Sequence, residues 1–514
     1  MTSEKPMKNK AIPTFDTTLG APLPPSTHAV SVSLPKWDDI IGYEEGDPKV
    51  LQSLKAGYPR FVLHPLVQDF LNNCHKHYSL SASENCRAFP SERIAGQCVD
   101  FLKKHSKHNQ NQNIRVIDTK RLNVHLVVFP EEIISIAHSF WQHSGLGISS
   151  RLAETLLNNS EESIPCASQE AKLITERVAR LFCTDAQDPT PVFPEDVYLC
   201  NSGISAIYLT HRALLSCKPN AKSIQFGFPY VDTLKIQEKW GNGSHFIPFD
   251  ENKIEDCLAK IENLLNAEEI SGVFCEIPNN PLLQTIDLPA LSSLLRQYNT
   301  PLIVDDTLAT FYNADVTPWA DIICSSLTKF FSGTGDVLAG SLAIVNSSPF
   351  YSILKEKINA EHQDTLFAKD AVALEKNSID FTQRIAKINS TAERLCELLN
   401  QHKLVKDVYY PKLIDHQNYN QLRKPHGGYG GLFSITFHTP EHAIAFYDKI
   451  PLCKGPSLGT NFTLLCPYTL LAHYNELDSV EKQGVSRYLL RFSAGLEDAN
   501  ELCEIFETTL NSII

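Results

Sequence analysis

From about residue 165 the chain alternates short apolar runs with longer amphipathic stretches. The runs Val197–Cys200, Ser223–Phe226, Gly272–Glu276, Leu302–Asp305, Ile322–Cys324 and Ser341–Val345 are short and largely apolar, which predicts buried strands. Stretches such as 254–266 and 288–298 instead repeat apolar residues at helical spacing. This order predicts an α/β large domain with a mostly parallel sheet and helices on both faces. A polar stretch at 373–392 reads as one long helix. Beyond it, Asp407–Tyr410, Leu432–Phe437 and Tyr488–Ser493 predict strands, with helices around 441–449 and 496–510. That is an α+β arrangement of about 130 residues, a usual size for one smaller domain.

The front of the chain is punctuated by prolines and glycines in His28–Pro35, Gly42–Gly46 and Gly57–Phe61, and apolar periodicity predicts helices over Leu63–Leu71 and Ile94–Leu102. Residues 1–27, with Pro13, Pro22, Pro24 and Pro25 among polar or small neighbours, are predicted to be disordered. The expected division is a tail (1–27), an N-terminal extension (28–135), a large domain (136–385) and a C-terminal small domain (386–514). A chain of 514 residues is long enough for two or three domains.

Forty-six basic against fifty-nine acidic side chains give a formal charge of −13, which argues against nucleic-acid and anionic-membrane partners. No apolar run approaches the roughly 18 residues of a membrane span, and no signal-peptide core opens the chain. Fourteen cysteines are scattered without Cys-x-x-Cys pairs, so no metal site is expected. Such usage suits a reducing compartment, the cytoplasm, with the nucleus left open as a second location.

The densest chemistry lies in Asp321-Ile-Ile-Cys-Ser-Ser-Leu-Thr-Lys329-Phe-Phe-Ser-Gly333-Thr-Gly335-Asp336. An apolar strand ends there in hydroxyls, a lone lysine and a glycine-rich turn. Burial would move Lys329 toward the free amine that an imine with an aldehyde cofactor requires. Ser326 and Thr328 suit a phosphate. Asp305, ending the preceding strand, could pair with a protonated pyridine nitrogen, and equally could cap a helix or form a turn. An imine-forming lysine with such an aspartate is the minimal equipment for pyridoxal 5'-phosphate (PLP). Asn201-Ser-Gly203-Ile204 opens an apolar helix after a strand, where exposed amides receive phosphate; a plain N-cap is the alternative. Phe226, at a strand end, offers a stacking surface or ordinary core packing. Arg491 within an apolar run needs an anion, either a substrate carboxylate or a structural salt-bridge partner.

In this order the pieces resemble the Cys/Met-metabolism family of PLP enzymes, the cystathionine γ-synthase group. The matching motifs are the Ser-Gly helix start, Glu276…Asn280-Pro-Leu-Leu, Val304-Asp305-x-Thr307, Ser326-x-Thr-Lys329, Gly333…Asp336 and Arg491-x-Ser493-x-Gly495-Leu-Glu-Asp498. The front block resembles the N-terminal extension of the fungal members. The resemblance implies an aspartate-aminotransferase-like (fold type I) large domain. Lys329 would hold PLP and shuttle protons, and Asp305 would pair with the pyridine nitrogen. Gly203, Ile204, Ser326 and Thr328 would hold the phosphate, and Phe226 would stack on the ring. Asn280, Ser457 and Arg491 would receive the substrate carboxylate. Arg151, on an interface arm near 145–165, would enter a neighbouring subunit's phosphate site, making a homodimer or homotetramer with shared active sites.

Three positions depart from the family pattern: Phe226 and Ser149 stand where tyrosines are usual, and Asp306 where asparagine is. They leave Tyr230 or Lys329 to handle protons. The implied activity joins an O-acyl-homoserine to cysteine to give cystathionine, with small amino acids as its substrates. An O-acetylhomoserine sulfhydrylase, a cystathionine lyase and a weakly active or non-catalytic PLP-binding paralogue are the alternatives.

Overall fold

A computed structural model describes residues 15–58, 61–107, 113–160, 167–184, 190–250, 253–414 and 416–514. At its centre seven strands lie in the order Val197–Cys200, Gly340–Ile344, Ile322–Ser325, Leu302–Asp305, Ile270–Glu276, Lys222–Phe226 and Ser244–Ile247. Neighbours are parallel except at Gly340–Ile344, which is antiparallel to both of its partners. All six predicted strands are present. The seventh, Ser244–Ile247, is a half-buried edge strand with no continuous apolar run to announce it.

Alternation explains why both faces are apolar. Ile303 and Ile322 point into a cluster with Ile204, Ile207, Leu354 and Ile358. Their neighbours Leu302, Val304 and Ile323 join a larger cluster that continues into the C-terminal body. That body holds a five-stranded sheet in the order Val405–Tyr409, Leu432–Phe437, Leu490–Ser493, Leu464–Cys466 and Cys453–Lys454. Among the described residues no helix is long and apolar enough to cross a membrane.

Two expectations are corrected. The stretch read as one helix over 373–392 is two, Ala368–Asn377 and Phe381–Asn400. The break lets the buried Arg384 guanidinium donate to the carbonyls of Asn377 (3.2 Å), Phe330 (3.0 Å) and Phe331 (2.8 Å), clamping the turn after Lys329. The tail expected to be disordered over 1–27 is ordered from Phe15, residues 1–14 lying outside those described. Pro22–Leu23 pairs with Ser31–Val32, and Ala21 and Leu23 are fully buried. The segment then straps across the C-terminal body: Trp37 N–H donates to Asp448 (2.8 Å), and Tyr447 hydroxyl donates to the Leu34 carbonyl (2.6 Å).

A three-stranded antiparallel sheet follows, with His125–Pro130 between Glu84–Phe89 and Arg115–Asp118. Val127 and Phe129 pack with residues of helix Glu92–His105, while Leu126 and Val128 pack with residues of helix Pro65–His77.

Candidate active site

Parallel strands bring their carboxyl ends to one rim, where α/β sheets bind ligands. The register sets Asp305 beside Glu276 on one side and Cys324 on the other. Lys329 follows in the turn after Ile322–Ser325. It is 8% exposed, and its Nζ donates to Ser457 Oγ (3.0 Å) and Tyr58 Oη (3.1 Å). Asp305, Lys329, Ser457, Tyr58, Asn280 and Arg491 line one cleft of about 1020 Å³ counted to its open mouth.

The carboxyls at this rim are desolvated. Burial raises Asp305 above the ordinary carboxylate range, against the lowering effect of Thr307, whose amide donates to Asp305 Oδ1 (2.9 Å). Burial and the neighbouring Asp305 charge push Glu276 well upward, although the amides of Tyr230 and Asn280 donate to it. A cation arriving at Asp305 would restore its ionised form. Asp306, buried behind them and raised by burial and Asp305, leaves Oδ1 without a hydrogen-bond partner.

Arg491 lies in the same cleft. It is 6% exposed, and the hydrogen-bond acceptors it meets among the described residues are neutral. Its guanidinium donates to Asn280 Oδ1 (3.2 Å) and the Ser457 carbonyl (2.8 Å), and lies 4.5 Å from the Tyr468 ring centroid. A buried guanidinium with only neutral acceptors is suited to an incoming carboxylate. Ser457, which touches both Arg491 and Lys329, holds φ +113°, a region costly for a side-chain-bearing residue.

The helix Gly203–Cys217 begins at the same cleft. Ser202 Oγ accepts the Ser205 amide (3.1 Å), leaving the first-turn amides of Gly203 and Ile204 without intrahelical acceptors. A Cβ on Gly203 would come within 2.6 Å of Ser326 Cβ, so only glycine keeps this cradle open. A helix start shaped for phosphate, a desolvated Asp305 and an amine within one cleft fit PLP.

Three expected site residues are placed elsewhere or otherwise engaged. Phe226 does not line the cleft: it is 1% exposed in the core against Phe249, ring centroids 5.8 Å apart. The chain turns after Phe226, and Tyr230 is the aromatic at the rim. Thr328 borders the cleft, but its hydroxyl donates to the Ala339 carbonyl (3.1 Å), bracing the turn rather than offering its proton to phosphate. Arg151 lines the adjoining cleft, where it pairs with Asp336 and Asp370, each at 3.1 Å. Sequence reasoning missed Tyr58, Phe61 and Tyr468. Tyr58 and Phe61 lay in the quoted Gly57–Phe61 stretch, whose Pro59 and Arg60 fall outside the described residues.

Comparison with known proteins identifies the family. Residues 194–511 match the family described as Cys/Met metabolism PLP-dependent enzyme, and residues 66–149 match the fungal trans-sulfuration enzyme N-terminal domain. A cystathionine gamma-synthase of Neurospora crassa is 35% identical, with 97% of this chain and 98% of that protein covered. One from Saccharomyces cerevisiae is 33% identical, covering 97% and 99%. Among solved structures, the Xanthomonas oryzae pv. oryzae cystathionine gamma synthase in complex with aminoacrylate and cysteine shares the fold. Its TM-score is 0.57 at 23% identity, over 67% of this chain and 86% of that one. With more than half its length matching the family, and a cleft equipped for the cofactor, this chain belongs to the Cys/Met metabolism PLP-dependent enzymes.

Proposed function

We propose that this PLP-dependent enzyme catalyses γ-replacement: the sulfur of cysteine displaces the acyloxy group from Cγ of an O-acyl-homoserine, giving cystathionine and the free acid. The observation that carries this reading is a single cleft combining Lys329, Asp305 and the Gly203–Ile204 helix start with the Arg491–Asn280–Ser457 carboxylate receptor. Its likeness along nearly its whole length to proteins named cystathionine gamma-synthase supports the same reaction.

Bound PLP supplies the electron sink that makes carbanions at Cα and Cβ accessible. Lys329 would hold the cofactor's aldehyde carbon and, once displaced by substrate, carry protons at those two carbons. Asp305 would keep the pyridine nitrogen protonated. Gly203, Ile204 and Ser326 would hold the phosphate. Arg491 and Asn280 would fix the substrate carboxylate, so that Cγ and its leaving group lie in the remaining cleft. Arg151 would complete a neighbouring subunit's phosphate site within a homodimer or homotetramer.

Incubating PLP-loaded protein with O-acetyl- or O-succinyl-homoserine and cysteine should release cystathionine. Product from sulfide alone would assign a sulfhydrylase, and breakdown of cystathionine alone a lyase. Bound PLP with no turnover of any mixture would assign a non-catalytic role. For the shared site, inactive Arg151→Ala and Lys329→Ala proteins should regain activity when co-assembled; no recovery in proven mixed oligomers would count against it.

A further inference from the structure

Helix Ile134–Ser144 ends with a contact to each of two cleft walls. On one side the Gly145 carbonyl accepts the Ser202 hydroxyl proton (3.3 Å). A Cβ on Gly145 would collide with Ser202 Oγ and Ile204 Cγ2, at the start of helix Gly203–Cys217. On the other side His143 Nδ1 lies 2.7 Å from Asp232 Oδ1. Both residues are buried, Asp232 completely. A carboxylate accepts, so Nδ1 carries the proton that joins them. Breaking a buried pair of this kind from one side is costly.

Asp232 sits in the first turn of helix Val231–Lys239, between Tyr230 and Thr233, which both line the cleft. The Tyr230 amide donates to Glu276, whose neighbour across the sheet is Asp305. Thr233 is 3% exposed, and its Oγ1 meets no hydrogen-bond partner among the described residues. A buried hydroxyl so placed is accounted for by a ligand that completes it. The far end of this helix is fastened separately. Lys239 Nζ donates to Ser139 Oγ (2.6 Å), and Trp240 stacks on Phe101 with ring centroids 4.7 Å apart. The His143–Asp232 bond is thus the tie at the end that faces the cleft. His143 falls in the segment matching the fungal N-terminal domain and Asp232 in the one matching the PLP enzymes, so the bond joins the two.

We propose that His143 is a positioning residue of the cleft: through Asp232 it holds the wall carrying Tyr230 and Thr233 in register with the Gly203–Ile204 helix start. The front block thereby sets the shape in which the cofactor is received. This goes beyond the reaction proposed above and needs only that PLP binds in the cleft.

His143→Leu removes the bond and keeps bulk. His143→Asn restores a donor, because its Nδ2 hangs from Cγ as the ring Nδ1 does. Titrating the apoprotein with PLP gives the affinity, and visible circular dichroism of the bound cofactor reports the asymmetry of its surroundings. For His143→Leu the expected result is cofactor affinity about tenfold weaker with a diminished dichroism band. His143→Asn should recover to within about threefold of the parent. A His143→Leu protein that loses stability in denaturant yet keeps the parent affinity and dichroism would show a merely structural bond and overturn the proposal. So would a His143→Asn protein as damaged as His143→Leu. Should His143→Leu not fold, Asp232→Leu decides from the other side, since it strands a neutral imidazole rather than a buried charge. Weakened affinity and dichroism there support the proposal, and parent values overturn it. None of these readouts uses an amino-acid substrate, so failure of the γ-replacement reading leaves them standing.

Discussion

Two clefts share Ser202 and Leu338 yet treat charge in opposite ways. In the first, ionic groups find partners within the chain: Arg151 lies between Asp336 and Asp370, and His28 bonds Ser150 (3.0 Å) and approaches Glu154 (3.4 Å). In the second, neutral partners and neighbouring acids predominate. Arg491 faces neutral oxygens, Lys329 donates to two hydroxyls, and Asp305 and Glu276 stand side by side as desolvated acids. Buried charge is stable when paired, so a cleft whose Arg491 meets neutral acceptors is suited to an anionic ligand. The contrast also sets a condition on Arg151: to serve a neighbouring subunit it must give up, or share, two carboxylates that already hold it.

The contrast breaks most sharply at the amine. Lys329→Ala should lower turnover by about 10⁴-fold and abolish the lysine-bound cofactor absorbance; surviving absorbance would place the covalent link elsewhere. Arg491→Ala should come next, raising KM for the amino-acid substrate by about 10–100-fold while leaving that absorbance intact. Arg491→Lys should recover only part, because an ammonium lacks the two-pronged geometry. In the paired cleft the effect should fall on folding instead. Asp370→Asn should lower unfolding free energy by about 1.5 kcal/mol in denaturant titration, with cofactor binding unchanged; lost cofactor affinity would show that the two clefts are coupled.

The smallest effect concerns pH. His64, in the paired cleft, accepts the Leu66 amide at Nδ1 (3.2 Å) and faces the Thr27 carbonyl with Nε2 (2.9 Å), a neutral tautomer. Burial lowers its pKa to about 4, and burial does the same for His138 and His211. The unfolded chain takes up these protons near 6.5 while the folded chain refuses them until about 4. Stability is therefore full above 6.5 and declines as pH falls from 6.5 toward 4. The denaturant midpoint should follow that slope, and His64→Asn, which keeps a capping acceptor, should flatten it. An unchanged slope would mean that His64 titrates alike in both states.

Legibility followed the distance over which each feature is decided. The six large-sheet strands were readable because short, largely apolar runs of that length fit a sheet covered on both faces. The three-stranded N-terminal sheet has the same character at His125–Pro130, but short apolar runs in a helix-rich block do not announce their partners. Phe226 packs in the core instead of lining the cleft; a strand end shows where a side chain leaves the sheet, not which way the following turn carries the chain. After the glycine–proline turn, Tyr230 lines the cleft.

By itself the sequence determined the local chemistry: a lysine after one strand, an aspartate ending the next, a glycine at a helix start and a guanidinium in an apolar run. Strand periodicity and turn residues are short-range constraints, so they survive in one dimension. Only the tertiary structure decided that Arg491 meets neutral acceptors among the described residues, that the Thr328 hydroxyl is taken by Ala339, and that Tyr58 reaches Lys329. Those outcomes depend on which surfaces pack against which. Tyr58 and Lys329 are 271 residues apart along the chain, and burial of the intervening core, rather than any local preference, brings their side chains together.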